Sequence, residues 1–220
     1  GGDKFSLAAA DGFRLAMQHG ALNAPVDTEM KVIVPPRTLN EIGRLLSDQE
    51  EPVEIVMSPA KGQVLFRVTG SQTIETVSQL LQGSFPNYEQ LIPQSYETRA
   101  IFDLPALLRA ARTAAIFARD GSNIIRLHVV PGENGDSQGK VIISAKSEEV
   151  GDNEDEVVAD TIEGGEGKIA FNSRYLLDVL QVLERGKVAL ETTTSSSPGV
   201  FKPTDSEEYI HVVMPMFVQW

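Results

Sequence analysis

The chain contains no cysteine. A disulfide framework, a zinc–thiolate centre and a cysteine nucleophile are therefore excluded. It has no apolar run approaching the roughly 18–20 residues that a membrane helix needs. Residues 1–7 lack the basic start and apolar stretch of a signal peptide, so the expectation is a soluble, cytoplasmic protein. Positive charge is also short. Lys and Arg number 19 against 31 Asp and Glu, a formal net charge of −12. Taken whole, that balance argues against a nucleic-acid binder, because neutralising phosphates takes Lys and Arg. What remains is an ordinary globular composition, 41% hydrophobic and 23% charged over 220 residues, enough for one or two domains with a real core.

An internal repeat organises that length. Residues 31–34 (KVIV) read as a strand stopped by Pro35 and Pro36, with a helix over 37–46. Residues 99–102 (RAIF) read as a strand, then Asp103 precedes a helix over 104–119. Residues 168–171 (KIAF) read as a strand, then Asn172 precedes a helix over 173–185. Asp103 and Asn172 suit the N-cap, where a side-chain oxygen accepts from free first-turn amides, and Pro36 suits the first helical position. The junctions at 35, 103 and 172 are 68 and 69 residues apart, and Leu39, Leu107 and Leu176 each follow theirs by four.

Three strands are expected after each helix: 53–57, 63–68 and 74–81; then 124–130, 140–145 and 157–162; then 187–193, 199–202 and 209–214. A turn at 59–62 and a polar loop at 131–139 join the first two strands of the first and second units. Ahead of the first junction, 4–9 and 13–19 flank Asp11-Gly12, a hairpin signal that looks like the tail of a further unit.

Charge is partitioned along this repeat. Arg37 and Arg44 share one face of the first helix, Arg109, Arg112 and Arg119 one face of the second, and Arg174 and Arg185 one face of the third. With their caps the helices hold seven arginines against four acids, a balance of +3, which leaves −15 for the rest. Nine acids fall within 148–166. If all helices lie on one side of a sheet, that side is lined with arginine.

No catalytic constellation emerges. His19, His128 and His211 fall in strand-like runs with no acid or nucleophile at a recurring offset, and read as sheet-surface residues. The GGEGK run at 164–168 has Ile169 where a phosphate loop needs Ser or Thr, and joins strand to strand. The carboxylates of 148–156 lack the spacing of a calcium loop and read as a solvated loop. The end of the chain is apolar, with Met214, Pro215, Met216, Phe217 and the single Trp220. It packs on its own protein or lines a groove for a partner.

Four motifs in order, over essentially the whole chain, resemble the bacterial β sliding clamp family, the β subunit of DNA polymerase III. They are DGFRL at 11–15, GSFPNY at 83–88, FNSRYLLDVL at 171–180 and VVMPM at 212–216. The resemblance implies an α+β DNA clamp fold of repeated βαβββ units, helices facing the ring interior and antiparallel sheets outside. Residues 1–97 would be part of the middle clamp domain, without its first half, and 98–220 the C-terminal domain. It implies no catalysis, no cofactor and no metal. The function implied is that of a processivity factor encircling duplex DNA.

Partners implied by the family are duplex DNA, a polymerase subunit, a clamp loader and repair polymerases, with a head-to-tail homodimer in the full-length protein and a location at the nucleoid. The implied peptide pocket is lined by Gly12, Phe13, Arg14, Leu15, Pro86, Leu91, Asn172 and Tyr175. Val212, Val213, Met214, Pro215, Met216 and Phe217 complete it. The DNA-facing residues would be Arg37, Arg44, Arg109, Arg112, Arg119 and Arg174. Ile116 and Phe117 would meet the neighbouring subunit. Ala10, Phe13 and Phe217 depart from the family's common Thr, His and basic residue, which makes the pocket more apolar, and Ser84 takes a place that can hold a DNA-facing Arg. Two rivals stand beside this reading: a repeat-built interaction scaffold that never encloses DNA, and an enzyme using the carboxylates of 148–156.

Overall fold

The computed structural model describes all residues except 47–50, 59, 61, 120, 121, 133–137 and 150. Parts of the expected 59–62 turn and 131–139 loop therefore lie outside the described residues. The architecture is α+β, with three α-helices and antiparallel sheets among the described residues. The chain divides into two compact units: Gly1–Phe5 with Ala21–Asn87, and Ser6–Gly20 with Tyr88–Trp220. The long strands β1 (Gly2–Ala10) and β2 (Arg14–Val26) are shared between them.

In the first unit, α1 (Pro36–Leu45) begins at a proline that sacrifices no helical hydrogen bond. The sheet β3 (Glu54–Ser58), β4 (Gln63–Thr69), β5 (Thr73–Gln79) follows. Alternation in β4 turns Val64, Phe66 and Val68 inward, and Val64 and Phe66 share a core with Ile42 of α1. On the outer face Arg67 holds Glu54 and Glu75 at 2.6 and 2.8 Å, one charged row across three strands. The expected strand at 31–34 is only a single bridge, Ile33 to Leu81. Pro35 and Pro36 lack the amides that would extend a ladder, and no strand lies on the other side of Ile33 among the described residues.

The second unit carries two complete repeats. The first has β6 (Thr98–Asp103), α2 (Leu104–Arg119), β7 (Ile124–Pro131), β8 (Gly139–Ser147) and β9 (Gly151–Gly164). The second has β10 (Gly167–Asn172), α3 (Ser173–Val182), β11 (Lys187–Thr192), β12 (Gly199–Pro203) and β13 (Tyr209–Val213). The sheet order β1-β2-β13-β12-β11-β6-β9-β8-β7-β10 joins the repeats twice. The strand leading into each helix pairs with the strand leaving the other: β6 with β11, and β10 with β7. Alanines 110, 111, 114 and 118 give α2 a thin buried face, and α3 packs against it through Leu176, Val179 and Leu180. Phe171 and Phe201 meet with ring centres 5.6 Å apart, and Gly199 leaves no space for a Cβ beside the Phe171 ring.

Three expectations need correction. Residues 148–156 are not simply a loop: β9 starts at Gly151 and pairs with β8. Asp152, Glu154 and Glu156 are tolerated because they alternate onto the solvent face, where Lys140 meets Glu156 at 2.6 Å and Lys146 meets Asp152 at 3.5 Å; Asp155, opposite the buried Ile143, is itself exposed. The third helix ends at Val182, not 185, since Glu184 turns left-handed at φ 60° ahead of Gly186. His211 is no surface residue; it is buried in β13.

Candidate partner and nucleic-acid surfaces

The second unit assembles an apolar ledge where β2, β13 and α3 meet. Asp11 starts it: its Oδ1 accepts from the amides of Phe13 and Arg14 at 3.0 and 3.1 Å, an Asx turn that Gly12 permits by taking φ 86°. The β2–β13 ladder then sets Leu15 opposite Val212 and Arg14 opposite Val213. Leu15, Val200 and Val212 form a small core, with Tyr88, Ile92 and Ile210 against it. Past the strand, the Met214 amide donates to the Phe13 carbonyl (2.8 Å) and the Met216 amide to the Ala170 carbonyl (2.7 Å). These two bonds hold the 214–217 segment across the ledge.

Arg14 is the hub. Its Nε donates to Asp11 at 2.9 Å, its Nη1 donates to Asp178, and its Cζ lies 4.7 Å over the Tyr175 ring. The hydrogen bond to Asp178 raises its pKa above the usual value, against the effect of burial. Burial alone would raise the Asp11 carboxyl, but the Phe13 amide and the Arg14 guanidinium hold it below its ordinary value. Phe13 stacks on the same Tyr175 ring, with centroids 5.9 Å apart and planes 23° apart. Asn172 caps α3 through the Arg174 amide at 3.0 Å and so fixes the helix that presents Tyr175 and Asp178.

The structure therefore brings Phe13, Arg14, Tyr175 and Asn172 together with 212–217, and Gly12 at the turn. Leu15, Val212, Val213 and Pro215 are buried and form the floor; Phe13 at 58% and Phe217 at 83% are the most open rings, with Met214 and Leu91 also exposed. Pro86 is exposed and belongs to the first unit. Asp178 was not singled out from the sequence. Its signal is its spacing, one turn after Tyr175 on α3. Beneath the ledge lies His211, whose Nδ1 is 2.8 Å from the Tyr209 hydroxyl and whose Nε2 has no partner. Burial, and secondarily the Arg14 charge, lower its pKa to about 4; burial pushes Tyr209 up to about 12.

The cations divide by element. On the sheets, Arg14, Arg67 and Arg99 each engage two carboxylates. Lysines 140, 146, 168, 187 and 202 each meet one, as does Lys31 outside the strands, while Lys4 of β1 and Arg126 of β7 make no ion pair among the described residues. On the helices, Arg37, Arg109, Arg112 and Arg174 are exposed and make no ion pair among the described residues. Arg44 holds Glu41 at 3.0 Å, and Arg119 is exposed at the end of α2. Arg109 and Arg112 rim a groove on α2 floored by Leu104, Leu108 and Ile116. Ile116 is exposed and Phe117 packs half-buried against the core. His128 and Glu166 pair at 2.6 Å on the sheet. No group of three or more His, Cys, Asp or Glu is placed to hold a metal ion among the described residues. No described helix is long and apolar enough to cross a membrane.

Comparison with known proteins gives one answer over both units. The family model described as DNA polymerase III beta subunit, C-terminal domain, matches residues 89–217, and the one for its central domain matches 1–87. A beta sliding clamp of Bacillus subtilis is 32% identical over 209 residues, which cover 94% of this chain and 52% of that protein. The crystal structure of a Bacillus subtilis DNA polymerase sliding clamp superposes with a TM-score of 0.87 at 31% identity, over 99% of this chain and 55% of that one. A sliding clamp of Pseudomonas aeruginosa bound to griselimycin superposes with a TM-score of 0.84 at 30% identity, over 99% and 55%. The chain thus spans about half the length of the relatives it matches.

Proposed function

The chain belongs to the family of the bacterial DNA polymerase III beta subunit, the beta sliding clamp, and on that premise we propose that it is the DNA-lining and partner-binding part of a non-catalytic processivity factor. Its two parts supply the second half of a central clamp domain and a C-terminal clamp domain. The helices face duplex DNA, the sheets face outward, and the ledge around Tyr175 receives the apolar tails of a polymerase subunit, a clamp loader and repair polymerases. In the full-length protein two subunits close head to tail, with Ile116 and Phe117 at the joint, and the ring works in the cytoplasm at the nucleoid.

The observation that carries this reading is the partition of cations. An arginine already bound to two carboxylates has little charge left for a phosphate. An exposed arginine without a partner keeps all of it. Arg37, Arg109, Arg112 and Arg174 are of the second kind and all lie on helices, while most sheet cations are tied to carboxylates: Arg14, Arg67 and Arg99 to two each, and Lys140, Lys146, Lys168, Lys187 and Lys202 to one each, with Lys4 and Arg126 the exceptions. Such side chains bind phosphate without reading bases, which is what sliding needs. Carboxylates elsewhere repel DNA from the outside. Nothing in this mechanism breaks a bond. A polymerase tail held on the ledge keeps its enzyme at high effective concentration on the template.

The test is a salt titration of duplex DNA binding by the 220-residue chain and its Arg109→Glu, Arg112→Glu double variant. The variant binds more weakly, and its dependence of log K on log salt is shallower by about 2, one unit for each arginine that no longer reaches a phosphate. Identical curves would remove α2 from the DNA surface. The scaffold reading, in which DNA is never enclosed, has no use for unpaired helix arginines.

A further inference from the structure

The Tyr175 end of the ledge is acidic as well as aromatic. Asp11 and Asp178 reach it from two elements, the turn between β1 and β2 and the helix α3, and share one guanidinium, that of Arg14. Two carboxylates against one cation leave that cluster one negative charge in excess. Both acids remain open to solvent, with side chains 44% exposed against 28% for Arg14. Asp11 is fully used, its Oδ1 by the amides of Phe13 and Arg14 and its Oδ2 by the guanidinium. Asp178 has capacity left: its Oδ2 accepts from Arg14, and its Oδ1 takes no hydrogen bond among the described residues. Arg174 stands four residues earlier on α3, at the spacing of a helical ion pair, yet makes none with Asp178.

The aromatic side is open in the same way. Tyr175 is engaged twice, by the Arg14 guanidinium 4.7 Å from its ring centre and by the Phe13 ring at 5.9 Å. Phe13 has that one ring partner among the described residues and stays 58% exposed. An open aromatic face two residues along the chain from a carboxylate suits a cation, because the ring's negative face and the acids attract the same charge. An apolar side chain would use the ring and leave the acids idle. An acidic one would meet repulsion.

We infer that this end of the ledge is a cation-selecting subsite, and that the peptide it takes carries a Lys or Arg beside its apolar anchors. The inference rests on the reading of the ledge as a peptide site and adds the sign of the peptide's charge. The cationic head lies on the open face of Phe13, within the field of Asp11 and toward the free oxygen of Asp178. Arg14 does not fill that place, because both acids and the Tyr175 ring already hold it. Asp178 is thereby a specificity-determining residue: it fixes Arg14 through one oxygen and offers the other to the partner.

The experiment is fluorescence anisotropy of the 220-residue chain with one labelled apolar peptide, flanked on both sides by Lys, by Gln or by Glu. The Lys form binds about tenfold tighter than the Glu form at low salt, with the Gln form between them. Added salt narrows the gap. Asp178→Asn and, separately, Phe13→Leu lower the Lys-to-Glu ratio, while Glu154→Gln, the same change of charge on β9, leaves it as it was. A loss of folding weakens all three forms together, so the ratio reads selectivity, and a thermal melt checks each variant. Equal affinities, or a tighter Glu form, overturn the inference and leave the peptide site standing. So does a ratio that a folded Asp178→Asn variant keeps, or one that Glu154→Gln lowers as much, which would trace it to the net charge of −12. If none of the three forms binds, the peptide site itself fails and the inference falls with it.

Discussion

At the scale of single residues, Arg14 and His211 set the properties of the ledge. Arg14 spends its charge on Asp11 and Asp178, so it positions Tyr175 through its flat face and offers a partner peptide little ion pairing of its own. Tyr175→Ala is expected to weaken binding of an apolar polymerase-tail peptide by about 1–3 kcal/mol, as removal of a buried anchor does; fluorescence anisotropy reads it. His211 makes a pH prediction. Its folded pKa is about 4 and its ordinary one 6.5. As pH falls below 6.5 the unfolded chain takes up the proton first, so the folded state loses stability down to about pH 4. Between pH 7 and 5 that loss is about 2 kcal/mol by linkage. Urea unfolding at the two pH values measures it, and His211→Gln removes that part of the dependence. The sequence showed His211 in a strand but could not show that the strand is enclosed between β2 and β12, which is what buries it.

At the scale of elements, local chemistry decided what was legible. Repeat spacing, the N-caps Asp103 and Asn172 and the proline start of α1 were readable because each rests on neighbours in sequence; the Ala106 amide does donate to Asp103, at 3.2 Å. Asn172→Ala is accordingly expected to cost about 1 kcal/mol in a denaturant melt. The errors arose where a partner from elsewhere decides. The acidic start of β9 looks like a loop until Lys140 and Lys146 of β8 are set beside it. The strand at 31–34 has the right residues but only one neighbour to bond. Of the ledge, the lining residues were named from the family motifs; Asp11 was read only as part of a hairpin signal and Asp178 only as one letter of a motif, and that both hold Arg14 was visible only in three dimensions. Gly199 is a similar case: its need to be glycine comes from the Phe171 ring. Gly199→Ala puts a Cβ 2.4 Å from the ring's Cζ and is expected to lower the melting temperature of the second unit by several degrees, a cost of about 1–3 kcal/mol from overpacking.

At the scale of the whole molecule, a net charge of −12 has to be reconciled with DNA. The reconciliation lies in where the charge is neutralised. Most sheet lysines and arginines are spent on carboxylates, and Arg37, Arg109, Arg112 and Arg174 on the helices are not, so the attraction for phosphate is local, weak and steeply screened by salt. Such attraction holds DNA for long only if the protein cannot leave sideways, and topology has to supply what affinity does not. A chimera that places these residues behind the remaining half of a sliding clamp is therefore expected to stay on nicked circular DNA through a gel-filtration column at moderate salt. Cutting the circle once should release it, because a closed ring runs off an end. Arg109→Glu with Arg112→Glu should impair loading while leaving the retention of loaded rings dependent on the cut. Equal retention on circular and linear DNA would show that side-chain attraction alone holds the protein. The scaffold reading would then replace enclosure, and the unpaired arginines would need another partner.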